Sequence, residues 1–154
     1  MARKKYFEDF PVGHKAEFGG YLVTAEEIIE FASDFDPQSF HLDDEAARQT
    51  HFGGLIASGW HNCAMAMRMI CDDFLLDCAS IGSGGCQKVR WLKPVRPGDK
   101  LRMTREVIEA RASKSRPDRE GRGTLILRYD MYNQADEHVL TMDYVQLMLT
   151  DQGG

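Results

Sequence analysis

The sequence predicts an α+β domain in which a short strand and several helices come first and a meander of long strands follows. Three observations carry this. A capped segment with apolar residues at helical spacing opens at Thr24, and a longer one opens at Gly59. From residue 80 onward the chain reads as four long strand-like runs separated by turn residues. Strands gathered after helices, rather than alternating with them, point to an antiparallel sheet that can curl around the longest helix.

The elements follow in order. Residues 6–23 carry Pro11, Gly13, Gly19 and Gly20 among scattered apolar side chains, the pattern of a loop and then a short strand. In Thr24-Ala25-Glu26-Glu27 the threonine is placed to accept from a free N–H of the first helical turn while Glu27 reaches back, a capping box that opens a helix through Ile28, Ile29, Phe31 and Ala32. That helix must stop before Pro37. Residues 41–48 suggest a second brief helix, and Gly53-Gly54 breaks the chain again. From Gly59 to about Leu76, residues Trp60, Cys63, Ala64, Met67, Ile70, Cys71, Phe74 and Leu75 recur at threes and fours, predicting one broad buried stripe packed on a sheet. Strands are expected near 80–93, 100–112, 122–134 and 138–150, the last two matched in length around Asn133-Gln134-Ala135-Asp136 as an antiparallel hairpin. The charged stretch 114–122 reads as a mobile loop.

At 154 residues, with 43% hydrophobic and 28% charged positions, the chain fits one domain spanning 1–154. Its formal charge of −5 comes from interspersed acids and bases, which leaves no basic footprint for nucleic acid. No stretch approaches the roughly 20 apolar residues that span a bilayer, and MARKKYFEDF lacks a following apolar signal region, so a soluble, cytoplasmic protein is expected. Cys63, Cys71, Cys78 and Cys86 lack zinc-site spacing and are read as reduced thiols, Cys63 and Cys71 as small core residues. No grouping of them with the histidines suggests a metal.

Chemistry concentrates in Asp36-Pro37-Gln38-Ser39-Phe40-His41. A carboxylate and an imidazole stand five residues apart in a loop that Pro37 keeps from being helical, and such a pair around a water suits adding water to a double bond or removing it. On spacing alone, a turn stabiliser and a surface histidine remain the other reading. Downstream, Phe52-Gly53-Gly54-Leu55-Ile56-Ala57-Ser58-Gly59 leads into the long helix, where N–H groups without intrahelical partners can hold a developing oxyanion. The same glycines would also serve simply to shape a turn.

These two runs, with Arg90-Trp91-Leu92-Lys93-Pro94-Val95-Arg96-Pro97-Gly98-Asp99 and the opening Tyr6-Phe7-Glu8-Asp9-Phe10-Pro11-Val12-Gly13, resemble the MaoC-like (R)-specific enoyl-CoA hydratases over nearly the whole chain. The resemblance implies a single hot dog domain, an antiparallel sheet wrapped around a long central helix, usually a homodimer or higher homo-oligomer. It implies action on acyl-CoA thioesters without a metal, coenzyme A being part of the substrate and no further cofactor being needed. Asp36 and His41 match the catalytic pair that activates water for C3 and delivers a proton to C2, and Gly59, eighteen residues after the histidine, matches the glycine whose N–H holds the thioester oxygen. The commonest motif is Asp-x-Asn-Pro-apolar-His, so Asp34 rivals Asp36 for the register, and Ser58 stands where the family often has histidine.

Ser58 and Trp60, flanking Gly59, are candidate substrate contacts, with packing as the other role for Trp60 and for Trp91. Arg90, Lys93 and Arg96 are candidates for the coenzyme A phosphates, against the ordinary reading of a solvated strand end. Met65, Met67 and Met69 are assigned to packing or an acyl tunnel. His61, two residues into the helix, either points toward a pocket or, the favoured structural role, caps the helix surface; His51 and His138 are read as solvent-facing, and His14 as a turn residue. Rival functions are thioester hydrolysis on the same fold and a non-catalytic acyl-CoA binding module.

Overall fold

The computed structural model describes residues 3–113 and 121–152. Five strands, β1 (Lys15–Leu22), β2 (Ser80–Trp91), β3 (Lys100–Ala112), β4 (Arg122–Tyr132) and β5 (His138–Leu149), form one antiparallel sheet in the order β1-β3-β4-β5-β2. The helices are α1 (Ala25–Phe35), α2 (Ser39–Leu42), α3 (Asp44–Arg48) and α4 (Gly59–Asp73). Strands β3, β4 and β5 are neighbours in both sequence and space, so the expected meander forms, and β1 and β2 close its two sides. The β4–β5 hairpin turns at Asp136, at φ 58°, with Asn133 Oδ1 accepting from the N–H groups of Ala135 and Glu137 at 3.0 Å each.

The two-residue period of the strands sorts their side chains. On β3, Leu101, Met103, Arg105 and Val107 are buried and their neighbours are not. With Leu125, Leu127, Tyr129 and Met131 of β4 and Leu140, Met142 and Met148 of β5, the apolar three, Leu101, Met103 and Val107, meet Met65, Ala66, Met69 and Ile70 of α4 in one core. This is the hot dog arrangement, a sheet around one helix.

The buried face of α4 differs from the predicted stripe. It consists of His61, Asn62, Met65, Ala66, Met69 and Ile70, whereas Trp60 and Ala64 are exposed and Cys63, Met67 and Cys71 only half-buried. A count of apolar residues skips the two polar side chains that open this face, and so turns the helix away from its true orientation. Cys63 is half-buried and packed against the core rather than within it, and Cys71 is half-buried; Cys78 is buried, Cys86 is exposed, and all four thiols are free. The helix also stops earlier than expected, at Asp73, and a 3₁₀ turn at Leu75–Asp77 follows.

Two further expectations change. Thr24 does cap α1, accepting from Glu27 N–H at 3.2 Å, but the Glu27 carboxylate is drawn to the Tyr21 hydroxyl and toward His61 rather than back to the cap. The brief helix expected at 41–48 is two, divided at Asp43, whose carboxylate accepts from the N–H groups of Glu45 and Ala46 and so starts α3 afresh. Of the charged stretch 114–122, residues 114–120 lie outside the described residues.

One inward position on β3 is a cation. Buried Arg105 donates to Asp73 at 2.9 Å, with its guanidinium 3.8 Å from the centre of the Phe74 ring and close to Phe10 and Phe18. Asp73 thus ties the last turn of α4 to the sheet. Asp73→Ala strands a buried charge and is expected to lower unfolding free energy by about 3 kcal/mol in urea titrations; a change under about 0.5 kcal/mol would show that the pair carries no such load.

Candidate active site

Pro37 excludes the helical conformation for the residue before it, so α1 ends and Asp36 takes φ −150°, ψ 68°. The chain then turns into α2, which buries His41. Residues 54–58 are buried although they form no helix or strand, so their polar groups need partners. Leu55 N–H donates to Asp44 at 3.0 Å, Ile56 N–H to the Phe40 carbonyl at 3.2 Å and Ala57 N–H to the Val95 carbonyl at 2.8 Å. The Ile56 carbonyl lies 2.7 Å from His41 Nδ1.

That last contact sets the tautomer. A carbonyl only accepts, so Nδ1 carries the proton, and in the neutral ring the lone pair sits on Nε2. Nε2 lies 3.3 Å from Asp36 Oδ2. The same oxygen accepts from the Ser58 hydroxyl at 2.7 Å, and Oδ1 accepts from the Gln38 amide at 2.7 Å. The Ser58 hydrogen bond, more than those of Gln38 or the charge of His41, holds the Asp36 carboxyl below the usual aspartate range against the opposing effect of burial.

Ser58 also precedes α4, yet its hydroxyl is spent on Asp36 and the helix has no side-chain cap. The first-turn N–H groups, beginning with Gly59, therefore lie beside the Asp36–His41 pair without that partner. Glycine at 59 is required by packing: a Cβ there would stand 2.5 Å from the Trp91 indole. Asp36, His41, Gly59 and Trp91 line a cavity of about 490 Å³, whose walls include Phe40, Ile56 and Ala57. Buried Asn62 lines it too, and its Oδ1 has no hydrogen-bond partner among the described residues.

The other candidates distribute unevenly. Trp60, 64% exposed, lines the cavity and meets Trp91 edge to face. Lys93 lines it while paired with Glu137. Arg90 is exposed on β2, and Arg96 donates to the Phe52 carbonyl, bracing the 49–58 loop. Asp34 is exposed on α1 in a separate depression with Glu30 and Arg68. His61 is not on the helix surface but buried, stacked on Phe31 with ring centres 4.7 Å apart, and burial lowers its pKa. His51 is exposed, His14 is half-buried, and His138 is half-buried against Asp130 rather than free in solvent. Sequence reasoning missed Gln38, Asn62 and the Ile56 carbonyl; only Asn62 had a signal, a polar residue three after Gly59 on the same helix face. Among the described residues no three His, Cys, Asp or Glu side chains are grouped to hold a metal ion, and no helix is long and apolar enough to cross a membrane.

A model of the MaoC-like domain matches residues 9–126. A MaoC-like dehydratase structure from Rhodospirillum rubrum is 36% identical, with a TM-score of 0.85 over 96% of this chain and 99% of that one. The Bacillus subtilis (strain 168) protein YdeM is 29% identical over 132 residues, 86% of this chain and 90% of its own. An R-hydratase from Pseudomonas aeruginosa, 22% identical, shares the fold with a TM-score of 0.69 over 97% of this chain and 88% of that one.

Because the Asp36 pKa is lowered in the folded chain, the ionised carboxylate stabilises the fold above the unfolded value, and this is lost as pH falls through the folded value. Ser58→Ala removes the largest cause, so the carboxyl carbon resonance of Asp36 is expected to titrate at higher pH than in wild type. An unchanged titration would show that the hydroxyl does not set it.

Proposed function

The chain belongs to the MaoC-like dehydratase family, and on that footing we propose that it interconverts a trans-2-enoyl-CoA and the 3-hydroxyacyl-CoA, with Asp36 and His41 as the catalytic pair. The observation that carries this reading is the Nδ1 contact of His41 to Ile56, which leaves Nε2 and Asp36 Oδ2 side by side on a cavity wall. A water seated against both atoms has its lone pair free for the substrate. Its oxygen bonds to C3, the C2–C3 π electrons move onto the thioester oxygen, and the pair takes the water proton and returns it to C2. The Gly59 N–H, at the positive end of α4, stabilises the enolate oxygen. Dehydration is the reverse sequence.

Coenzyme A enters as part of the substrate, with no further cofactor. Of the three candidate cations for its phosphates, Lys93 stands at the cavity but is paired with Glu137, Arg96 is engaged with Phe52, and Arg90 is exposed on β2. Ser58 acts on Asp36, and Trp60 and Trp91 wall the entrance. A cytoplasmic homodimer is part of the same reading: β2 is an outer strand exposed along almost its whole length, the kind of edge that a second copy covers.

Incubation with crotonyl-CoA is expected to remove the enoyl absorbance without releasing thiol. Asp36→Asn and His41→Gln should each lower kcat/KM by about 10²–10⁴, and Asp34→Asn should leave it near the wild-type value. Thiol release would instead indicate a thioesterase, and binding without turnover of any enoyl-CoA a non-catalytic acyl-CoA module.

A further inference from the structure

We propose that Asn62 is the specificity-determining residue of the cavity, and that the acyl group it selects carries a hydroxyl just beyond the double bond. The inference rests on the hydratase reading above and names its substrate class. Asn62 is 3% exposed, lines the cavity and leaves its Oδ1 without a partner among the described residues. Buried amide oxygens are almost always hydrogen-bonded, because an unpaired one has given up water for nothing. A pocket shaped only for hydrocarbon would hold an apolar side chain here, as it does at Phe40, Ile56 and Ala57. The missing partner is a donor that arrives with the ligand.

Helix geometry places that donor. Gly59 and Asn62 are three residues apart on α4, and side-chain positions at that spacing stand about 5–6 Å from each other on one face. With the thioester oxygen at the Gly59 N–H, an acyl chain that runs along this face of α4 brings the atoms following C3 toward Asn62. A hydroxyl there gives its proton to Oδ1 and accepts from the amide nitrogen, satisfying both ends of the side chain. A carboxylate has no proton for Oδ1 and would face the ionised Asp36, while the Lys93 charge is already matched by Glu137. Asp36 is held by Ser58 and Gln38, and His41 Nδ1 by Ile56.

The test compares 4-hydroxy-trans-2-butenoyl-CoA with crotonyl-CoA on wild type and Asn62→Leu. Wild type should favour the hydroxylated substrate in kcat/KM by about tenfold or more, and Asn62→Leu should abolish that preference. Equal use of both substrates by wild type would overturn the proposal. So would equal losses on both in Asn62→Leu, which would assign Asn62 to the catalytic water or the framework. Calorimetric binding of 4-hydroxybutanoyl-CoA against butanoyl-CoA separates specificity from chemistry. A hydroxyl preference in binding that Asn62→Leu removes, with no turnover of either enoyl substrate, would sink the hydratase reading and keep the recognition by Asn62. Equal binding of the two saturated ligands would sink the recognition whatever the turnover.

Discussion

The backbone of Ile56 holds the candidate site together. Its N–H is taken by the Phe40 carbonyl and its carbonyl by the His41 ring, so a buried, irregular stretch is sewn to α2 at two successive residues. Without those bonds the stretch could not stay out of water, since its polar groups would be orphaned. Everything else in the site is placed from there: the tautomer of His41, the arrival of Ser58 at Asp36 two residues later, and the start of α4 at Gly59. Leu55 on Asp44, Ala57 on Val95 and Arg96 on Phe52 hold the same stretch from its flanks.

The site also trades helix stability for charge placement. A serine before a helix ordinarily caps it, worth about 1 kcal/mol, yet Ser58 donates to Asp36 instead. The helix starts uncapped, with positive potential at its open end, next to a carboxylate held ionised and an imidazole with its Nε2 lone pair exposed. These are the parts an enolate-forming reaction uses: a base, a proton carrier and a preorganised seat for negative charge. Trp91 over Gly59 permits no side chain at that seat.

Much of this was legible in the residues because it depends on local rules. Pro37 ended α1, and turn residues separated the strands. The resemblance to the hydratase motif named the pair, the five-residue interval favoured Asp36 over Asp34, and the structure brings Asp36 rather than Asp34 against His41. What failed depends on tertiary partners. Hydrophobic periodicity misplaced the buried face of α4, because His61 and Asn62 are buried by stacking on Phe31 and by lining the cavity, which apolar counting does not register. Glu27 left its cap for Tyr21 and His61, neighbours that exist only once α1, α4 and β1 pack. Arg96 reads as a solvated cation until the 49–58 loop folds onto it.

The fate of the water oxygen bears most directly on the central claim. Turnover of an enoyl-CoA in ¹⁸O-labelled water, followed by mass spectrometry of the product, shows which carbon the water attacks. Hydration at the Asp36–His41 pair places one labelled oxygen on C3 of an intact thioester. Label in a free carboxylate, with coenzyme A released, would mean that the water attacks C1 and would contradict it.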